Sequence, residues 1–325
     1  MKKLNENAIL PIKYYSSVRT NKVNWLWYPY IPYGKITVVQ GDPGDGKTTL
    51  VLNLAALISK GLPIPESKQV LKRGKVLYQS AEDSIEDTLK QRLLSAGADC
   101  SRIAFIDDSK HALTLDNPYL ENAIIETNAS MLVLDPLQAY LGEGGDMSRV
   151  KGIRPSLKKL TAIADRTKCA IVIIGHMNKA TGAKGLYRGL GSIDITANAR
   201  SILLVGREKG NPDVRIMTHL KSSLAKEGPS IAFTIDDKTG IRWIGECAIT
   251  ADELLAGGVS SCVSSKIERA ETLLRCLLGD NEVPCSQIYL ESAKKGLGKR
   301  TVDAAKKNLS IKSKKLVDGW YWSFT

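Results

Sequence analysis

Residues 41–48 read Gly41-Asp42-Pro43-Gly44-Asp45-Gly46-Lys47-Thr48, the complete spacing of a phosphate-binding loop, Gly-x-x-x-x-Gly-Lys-Thr. Its flanks decide the fold. A β-branched run, Ile36, Thr37, Val38 and Val39, precedes it, and Leu50, Val51, Leu54, Leu57 and Ile58 follow at helical spacing up to Gly61. Strand, glycine-rich turn and helix in that order predict a loop whose backbone N–H groups face one anion, backed by the positive end of the helix. Lys47 adds a full charge for the β- and γ-phosphates, and the Thr48 hydroxyl suits Mg2+. The expected nucleotide contacts are Gly41, Asp42, Pro43, Gly44, Asp45, Gly46, Lys47, Thr48 and Thr49, with ATP and Mg2+ as ligands. A glycine-rich turn that fits by chance is the alternative, but strand, loop and helix agree here.

Outward from the loop, short runs rich in Val and Ile occupy 34–40, 75–80, 102–106, 130–134, 169–174 and 201–205. Continuous apolar strands of this kind are buried on both faces. Amphipathic stretches fall between them, for example 85–96, and 123–126 behind the helix-start signal Asn117-Pro118. The expected fold is therefore α/β, a mostly parallel central sheet flanked by helices. Residues 214–219, 231–235 and 241–244 follow one another through Gly228-Pro229 and 236–240, and read as antiparallel additions to one edge.

Three further segments end strands with chemistry. Met131 to Leu134 lead to Asp135, and a carboxylate at a strand's carboxyl edge holds the Mg2+ shell beside the phosphates. Thr48 and Asp135 are the expected metal ligands, with a turn cap beside Pro136 as the alternative for Asp135. Val76 to Gln79 lead into Ser80-Ala81-Glu82-Asp83. Glu82 is expected to orient water for in-line attack on the γ-phosphate, and Asp83 to cap the helix that starts at Ser84. His176 follows the strand at 170–174. A lone histidine beside an apolar run is often structural, but ligands bind at carboxyl edges of such sheets, so His176 reads as a polar sensor of the γ-phosphate.

The chain has 325 residues, enough for a large core and a smaller module, with a net charge of +12 and a pI near 9.3. That basicity points to a polyanionic partner. Six cysteines without a Cys-x-x-Cys pair suit reduced thiols. No apolar run approaches the ~18 residues of a membrane span, so a cytoplasmic location and no membrane partner are expected. Residues 245–265 lose the strand pattern and end in a Gly- and Ser-rich stretch. Helices are expected at 266–278, 286–295 and 300–309, then a lysine-rich ribbon closing on Trp320, Tyr321 and Trp322, the order of a winged helix-turn-helix. Residues 293–315 hold nine Lys or Arg against one acid, Asp303. Val302, Ala305 and Leu309 recur at helical spacing and face the small core, leaving Lys299, Arg300, Lys306 and Lys307 for DNA phosphates. Both tryptophans are expected in that core. The expected divisions are an extension 1–23, an ATPase domain 24–245, a linker 246–265 and a DNA-binding winged helix 266–325.

Trp25-Leu26-Trp27 ahead of Ile31-Pro32-Tyr33-Gly34-Lys35, the phosphate loop, Ser80-Ala81-Glu82-Asp83, Asp135-Pro136, Gly175-His176, and Lys221-Ser222-Ser223 ahead of Glu227-Gly228-Pro229 together resemble the RecA-like AAA-family ATPases. Among these the pattern is similar to the RepA and DnaB-type ring helicases and the helicase-like ATPases of mobile genetic elements. The tail looks like the winged helix that often follows such a core. The resemblance implies a RecA-like P-loop NTPase fold and a hexamer that hydrolyses ATP at subunit boundaries. It makes Glu82 the water-polarising glutamate, Asp135 the Walker B acid and His176 the switch linking nucleotide to DNA. A basic residue near the end of a late strand reaches the neighbouring subunit's site in this family, and Lys221 matches it. Many relatives have Lys-x-Arg there, so the usual arginine finger is absent, and Arg200 and Arg207 are alternative sources of the charge. Segments 142–146 and 179–191 are glycine-rich and follow strand ends; by resemblance they face the ring's pore, where Lys179, Lys184 and Arg188 would meet single-stranded DNA. The function implied is a DNA-stimulated ATPase that moves along or unwinds DNA in replication. The alternative is an ATP-switched DNA-binding initiator or regulator that does not unwind DNA; a small-molecule kinase leaves the charge unexplained.

Overall fold

A computed structural model describes residues 12–67, 71–109, 112–141, 153–177, 193–209, 211–236, 240–256, 266–279, 281–294, 297–316 and 319–324. A small hairpin, β1 (Trp25–Trp27) and β2 (Ile31–Pro32), leads into β3 (Ile36–Gly41), the phosphate loop and α1 (Lys47–Lys60). Then come β4 (Lys75–Ser80), a π-helical turn at Ile85–Leu89 running into α2 (Lys90–Ser95), β5 (Ile103–Ala104), α3 (Pro118–Thr127) and β6 (Ala129–Asp135). They are followed by α4 (Arg154–Thr167), β7 (Ala170–His176), α5 (Ile193–Asn198) and β8 (Ser201–Arg207). β9 (Val214–Ser222), β10 (Ser230–Asp236), β11 (Gly240–Cys247) and α6 (Ala251–Leu255) complete the sheet region.

Nine strands form one sheet in the order β11-β10-β9-β8-β3-β7-β6-β4-β5. β8, β3, β7, β6, β4 and β5 run parallel, and β9 to β11 add antiparallel at one edge, as the turn residues predict. Register places Gly41 beside His176 and Ser80 beside Asp135. Four loop-bearing ends therefore share one carboxyl edge.

Alternation explains the two cores. Met131, Val133, Val172 and Ile174 face α1, with Leu50, Val51, Leu54 and Ile58. Their neighbours Leu132, Leu134, Ile171 and Ile173 face the opposite side, with Leu120 and Ile124 of α3 and Leu157 and Leu160 of α4. Each such side chain contributes about 1.5–3 kcal/mol by leaving water. Local signals fix the helix ends. The Asn117 side chain accepts from the Tyr119 N–H at 3.0 Å with Pro118 in the first turn, and Gly61 stops α1 at φ 67°.

The tail forms α7 (Lys266–Leu278), β12 (Val283–Pro284), α8 (Cys285–Lys294), α9 (Lys299–Asn308), β13 (Lys312–Leu316) and β14 (Gly319–Ser323). Its strands pair antiparallel in the order β12-β14-β13. Leu274, Leu278, Ile288, Val302, Ala305 and Trp322 make its own core.

Several expectations need correction. The helix expected at 85–96 forms, but its first turn, Ile85–Leu89, is π-helical before it runs on into α2 to Ser95. The stretch taken as linker from 246 still belongs to the sheet region. β11 runs to Cys247, and α6, fixed by a Thr250–Glu253 capping box, lays Leu254 on Gly206 and the core beside β8. Trp322 is buried at 4 % exposure but Trp320 is 54 % exposed: β12 pairs with Tyr321 and Trp322 and stops short of Trp320, which has only β13 beside it. Cys100, Cys169, Cys276 and Cys285 are free, whereas Cys247 is disulfide-bonded, so the expectation of reduced thiols does not hold for every cysteine. Among the described residues no helix is long and apolar enough to cross a membrane.

His219 on β9 is buried, stacked on Tyr30 with ring centroids 4.9 Å apart. The Gly228 N–H donates to its Nδ1 at 3.0 Å, so the neutral ring carries its proton on Nε2 and donates to Ser201 Oγ at 3.2 Å. Burial pushes the imidazole down to about 4; a second ring proton would also face the Gly228 N–H. The unfolded chain binds this proton near pH 6.5 and the native chain near 4. Stability should therefore be full above 6.5 and fall as pH drops towards 4, by on the order of 3 kcal/mol. Urea unfolding from pH 4.5 to 7.5, compared between wild type and His219→Gln, should show a slope difference confined to that window. Parallel pH profiles would rule this linkage out.

Candidate active site

The phosphate loop crosses the carboxyl edge between β3 and α1, and tight packing beneath it explains its first glycine. A Cβ on Gly41 would lie 2.1 Å from the Val205 carbonyl of β8, far inside contact distance. Gly46 sits at φ 92° with Ile235 2.5 Å from where its Cβ would be. The Lys47 ammonium is folded onto the loop, donating to the carbonyls of Gly41 at 3.0 Å and Asp42 at 2.8 Å. Burial draws it below the usual lysine range, opposed by Asp45, Asp135, Asp42 and Glu82. A lysine held only by carbonyls can turn to phosphate oxygens at little cost.

Asp135 closes β6 at 6 % exposure. Its Oδ2 accepts from Thr48 Oγ1 at 2.8 Å and from the buried Tyr78 hydroxyl at 3.1 Å. Burial raises its carboxyl above the ordinary range, and those two bonds pull the other way. The Asp135 carbonyl also accepts the Ala81 N–H at 2.9 Å, which ties the turn after β4 to the end of β6. That turn directs Glu82 to His176, with Oε1 3.7 Å from Nε2. His176 Nδ1 is buried without a hydrogen-bond partner among the described residues. Asp83 goes elsewhere: it does not cap the following helix, whose N-cap Ser84 makes no side-chain bond, but pairs with Arg92 at 2.7 Å. The two adjacent carboxylates are thus separated by their partners.

The remaining sequence-predicted residues divide between two edges. Arg207 ends β8 at the carboxyl edge and lies on its own chain's loop, Nη2 donating to the Gly44 carbonyl at 2.8 Å. Arg200 and Lys221 lie at the amino edge, where Ile202 pairs with Lys221 and Ser201 with Thr37. Lys221 Nζ donates to the carbonyls of Thr196 at 2.6 Å and Ala199 at 2.9 Å. From Ile202 to Arg207 the strand spans roughly 17 Å, so Lys221 does not meet its own phosphate loop. Lys179, Lys184 and Arg188 lie outside the described residues. In the tail, Lys299 sits over the Tyr289 ring and Lys306 over Trp322, whereas Arg300 and Lys307 are exposed on α9.

Sequence reading missed three contributors. Tyr78 looks like strand filling, and only its register opposite Val133 brings its hydroxyl to Asp135. Arg215 pairs with Arg207 across β8 and β9 and packs beside Gly46. A pocket of about 300 Å3 opens beside Thr49, lined by Asp87, Thr88, Gln91, Arg92 and Asp236. Its walls come from segments far apart in the chain and carry no motif.

Strand, phosphate loop, α1, an acid closing β6 and a glutamate after β4 define a RecA-like P-loop ATPase core. A solved ATPase domain matches this fold at TM-score 0.50 and 14 % identity, over 65 % of this chain and 84 % of that one. Residues 8–182, more than half of the chain, match the AAA domain family AAA_25. The chain belongs to that family. DNA repair protein RadA of Bacillus subtilis is 25 % identical over 246 residues, 74 % of this chain and 48 % of that protein. Protein RecA of Rickettsia massiliae is 26 % identical over 157 residues, 47 % of this chain and 42 % of that protein. The chain spans about half or less of the length of these relatives.

Proposed function

We propose that this chain is one subunit of a homo-oligomeric ring, of six copies, that hydrolyses ATP at its seams and uses the cycle to move along or unwind DNA. The observation that carries the reading is the division of the site residues: phosphate loop, Glu82, Asp135 and His176 share the carboxyl edge, while Lys221 and Arg200 sit at the amino edge. A cation so placed is useful to hydrolysis only in a neighbouring copy. The name of one relative, a DNA repair protein, supports DNA as the polymer, and so does the net charge of +12.

In this reading the loop N–H groups and Lys47 hold the triphosphate, and the pocket beside Thr49 takes the base. Buried Asp135, its carboxylate bonded by two hydroxyls among the described residues, suits a divalent cation, which it would hold with Thr48. When bound, Mg2+ neutralises charge on the β- and γ-oxygens. Glu82 orients a water whose oxygen forms the new bond to the γ-phosphorus as the bond to the β–γ bridging oxygen breaks. The water proton passes to Glu82 and on to solvent. His176, in reach of Glu82, registers loss of the γ-phosphate and alters the segment beyond it, where Lys179, Lys184 and Arg188 meet single-stranded DNA. The tail acts as a winged helix on duplex phosphates through Lys299, Arg300, Lys306 and Lys307.

The test is ATP turnover with and without single-stranded DNA, paired with strand displacement of a forked duplex. Turnover should rise severalfold with DNA, and displacement should require ATP and Mg2+. A second reading has its own support. Lys221-Ser222-Ser223 lacks the usual arginine, and α9 and β13 are strongly basic, which fits an initiator that uses ATP only to switch its DNA-bound state. Tight duplex binding with no displacement in either polarity would favour it over the motor.

A further inference from the structure

Arg207 lies on its own chain's phosphate loop, and its contacts point to a task other than completing a neighbouring copy's site. Its guanidinium donates from Nη2 to the Gly44 carbonyl at 2.8 Å, and Nε lies 3.5 Å from Asp45 Oδ1. The other carboxylate oxygen of Asp45 accepts the Asp42 N–H at 3.0 Å, and the Asp45 N–H donates to the Asp42 carbonyl at 3.3 Å. Arg207 thus holds both ends of the Gly44–Asp45 unit, where Gly44 adopts φ 81°. Two residues earlier on the same strand, Val205 presses its carbonyl on Gly41. β8 therefore supports the loop at its first residue by packing and at its crest by charge.

The loop has an electrostatic problem that the generic motif does not. Asp42 and Asp45 bring two carboxylates to a site built for a polyanion, and the Asp45 side chain is only 13 % exposed. Burial raises its carboxyl, whereas the Asp42 N–H, Lys47 and Arg207 favour the charged form. Lys47 must leave the loop to serve phosphate. Arg207 is then the cation still fixed on Asp45.

We propose that Arg207 acts in cis as a positioning residue, clamping the crest of the phosphate loop and neutralising Asp45 so that nucleotide can enter. The proposal rests on the nucleotide site described above, and the experiment separates the two. Equilibrium titration of a fluorescent ADP analogue would be carried out on full-length protein diluted until sedimentation shows single chains. Wild type, Lys47→Ala, Arg207→Ala, Arg207→Lys, Asp45→Asn and the double variant Arg207→Ala/Asp45→Asn would be compared. Arg207→Ala should weaken binding about tenfold and Arg207→Lys less than threefold. Adding Asp45→Asn to Arg207→Ala should recover most of the loss, a non-additivity that general loosening of the loop does not produce. If Arg207→Ala does not fold, the comparison of Arg207→Lys with Arg207→Lys/Asp45→Asn carries the same sign at smaller size.

Unchanged affinity in a folded Arg207→Ala, in a protein whose wild type binds and whose Lys47→Ala does not, overturns the clamp and leaves the site standing. Binding absent from wild type, or untouched by Lys47→Ala, overturns the site and the clamp with it. A finger in trans makes the opposite forecast: affinity of dilute single chains unchanged, and turnover regained when Arg207→Ala is mixed with Lys47→Ala. A clamp gives no such regain, because each mixed seam still holds one defective loop.

Discussion

Glu82→Gln is expected to lower ATP turnover by about a thousandfold, or roughly 4 kcal/mol of barrier, while ATP affinity stays within a few-fold of wild type. The substitution keeps size and removes only the ability to accept a proton. Nothing that holds the triphosphate changes, since Lys47, Thr48 and Asp135 make no bond to Glu82. The turn itself is anchored by the Ala81 N–H on the Asp135 carbonyl, so its geometry survives. Asp83→Asn is the internal control. Its carboxylate is held by Arg92, and turnover should fall less than threefold, as for a partly exposed ion pair. Single-turnover hydrolysis of radiolabelled ATP, with affinity measured separately, distinguishes the two positions. Equal losses at both, or a Glu82→Gln enzyme within tenfold of wild type, would remove Glu82 from the reaction.

The contrast between these neighbours shows where sequence is legible. Motif and periodicity are local, and the phosphate loop, the strand closing at Asp135 and the antiparallel edge from 214 onward are all read from residues within one element. The two-sided core follows for the same reason: Val, Ile and Leu in unbroken runs can be buried only between two layers of helix. Partnership across the sheet is not local. Whether Glu82 or Asp83 faces the site depends on Arg92, nine residues away on another element, and on register between β4 and β6. Tyr78 and Arg215 gain their roles only from strands paired beside them. The end of the sheet region is hard to read because Gly245 and the Gly- and Ser-rich stretch beyond it mask a five-residue helix. Its Thr250–Glu253 capping box was the available signal.

Lys221→Ala is the sharpest test of whether neighbouring copies complete the site. In the single chain its ammonium serves the carbonyls at the end of α5, and burial and the nearby Arg200 draw it below the usual lysine range. Those partners are replaceable acceptors, so a phosphoryl oxygen from the next copy can take their place without leaving a buried charge alone. Loss of a cation stabilising the transferring phosphoryl costs ~10³-fold or more in other NTPases, and a fall of that order is expected here. The decisive arm is mixture. Lys221→Ala retains its own phosphate loop, and Lys47→Ala retains its own Lys221; each alone should be inactive. Combined in equal amounts, about a quarter of the seams in randomly mixed rings join an intact loop to an intact lysine. Turnover should return towards that fraction, whereas mixing Arg207→Ala with Lys47→Ala should give no gain over Arg207→Ala alone. Native mass measurement shows whether mixed assemblies form. Mixed rings without recovered hydrolysis would mean that Lys221 only caps α5, and Arg200→Ala in the same mixture would then decide whether its neighbour supplies the charge.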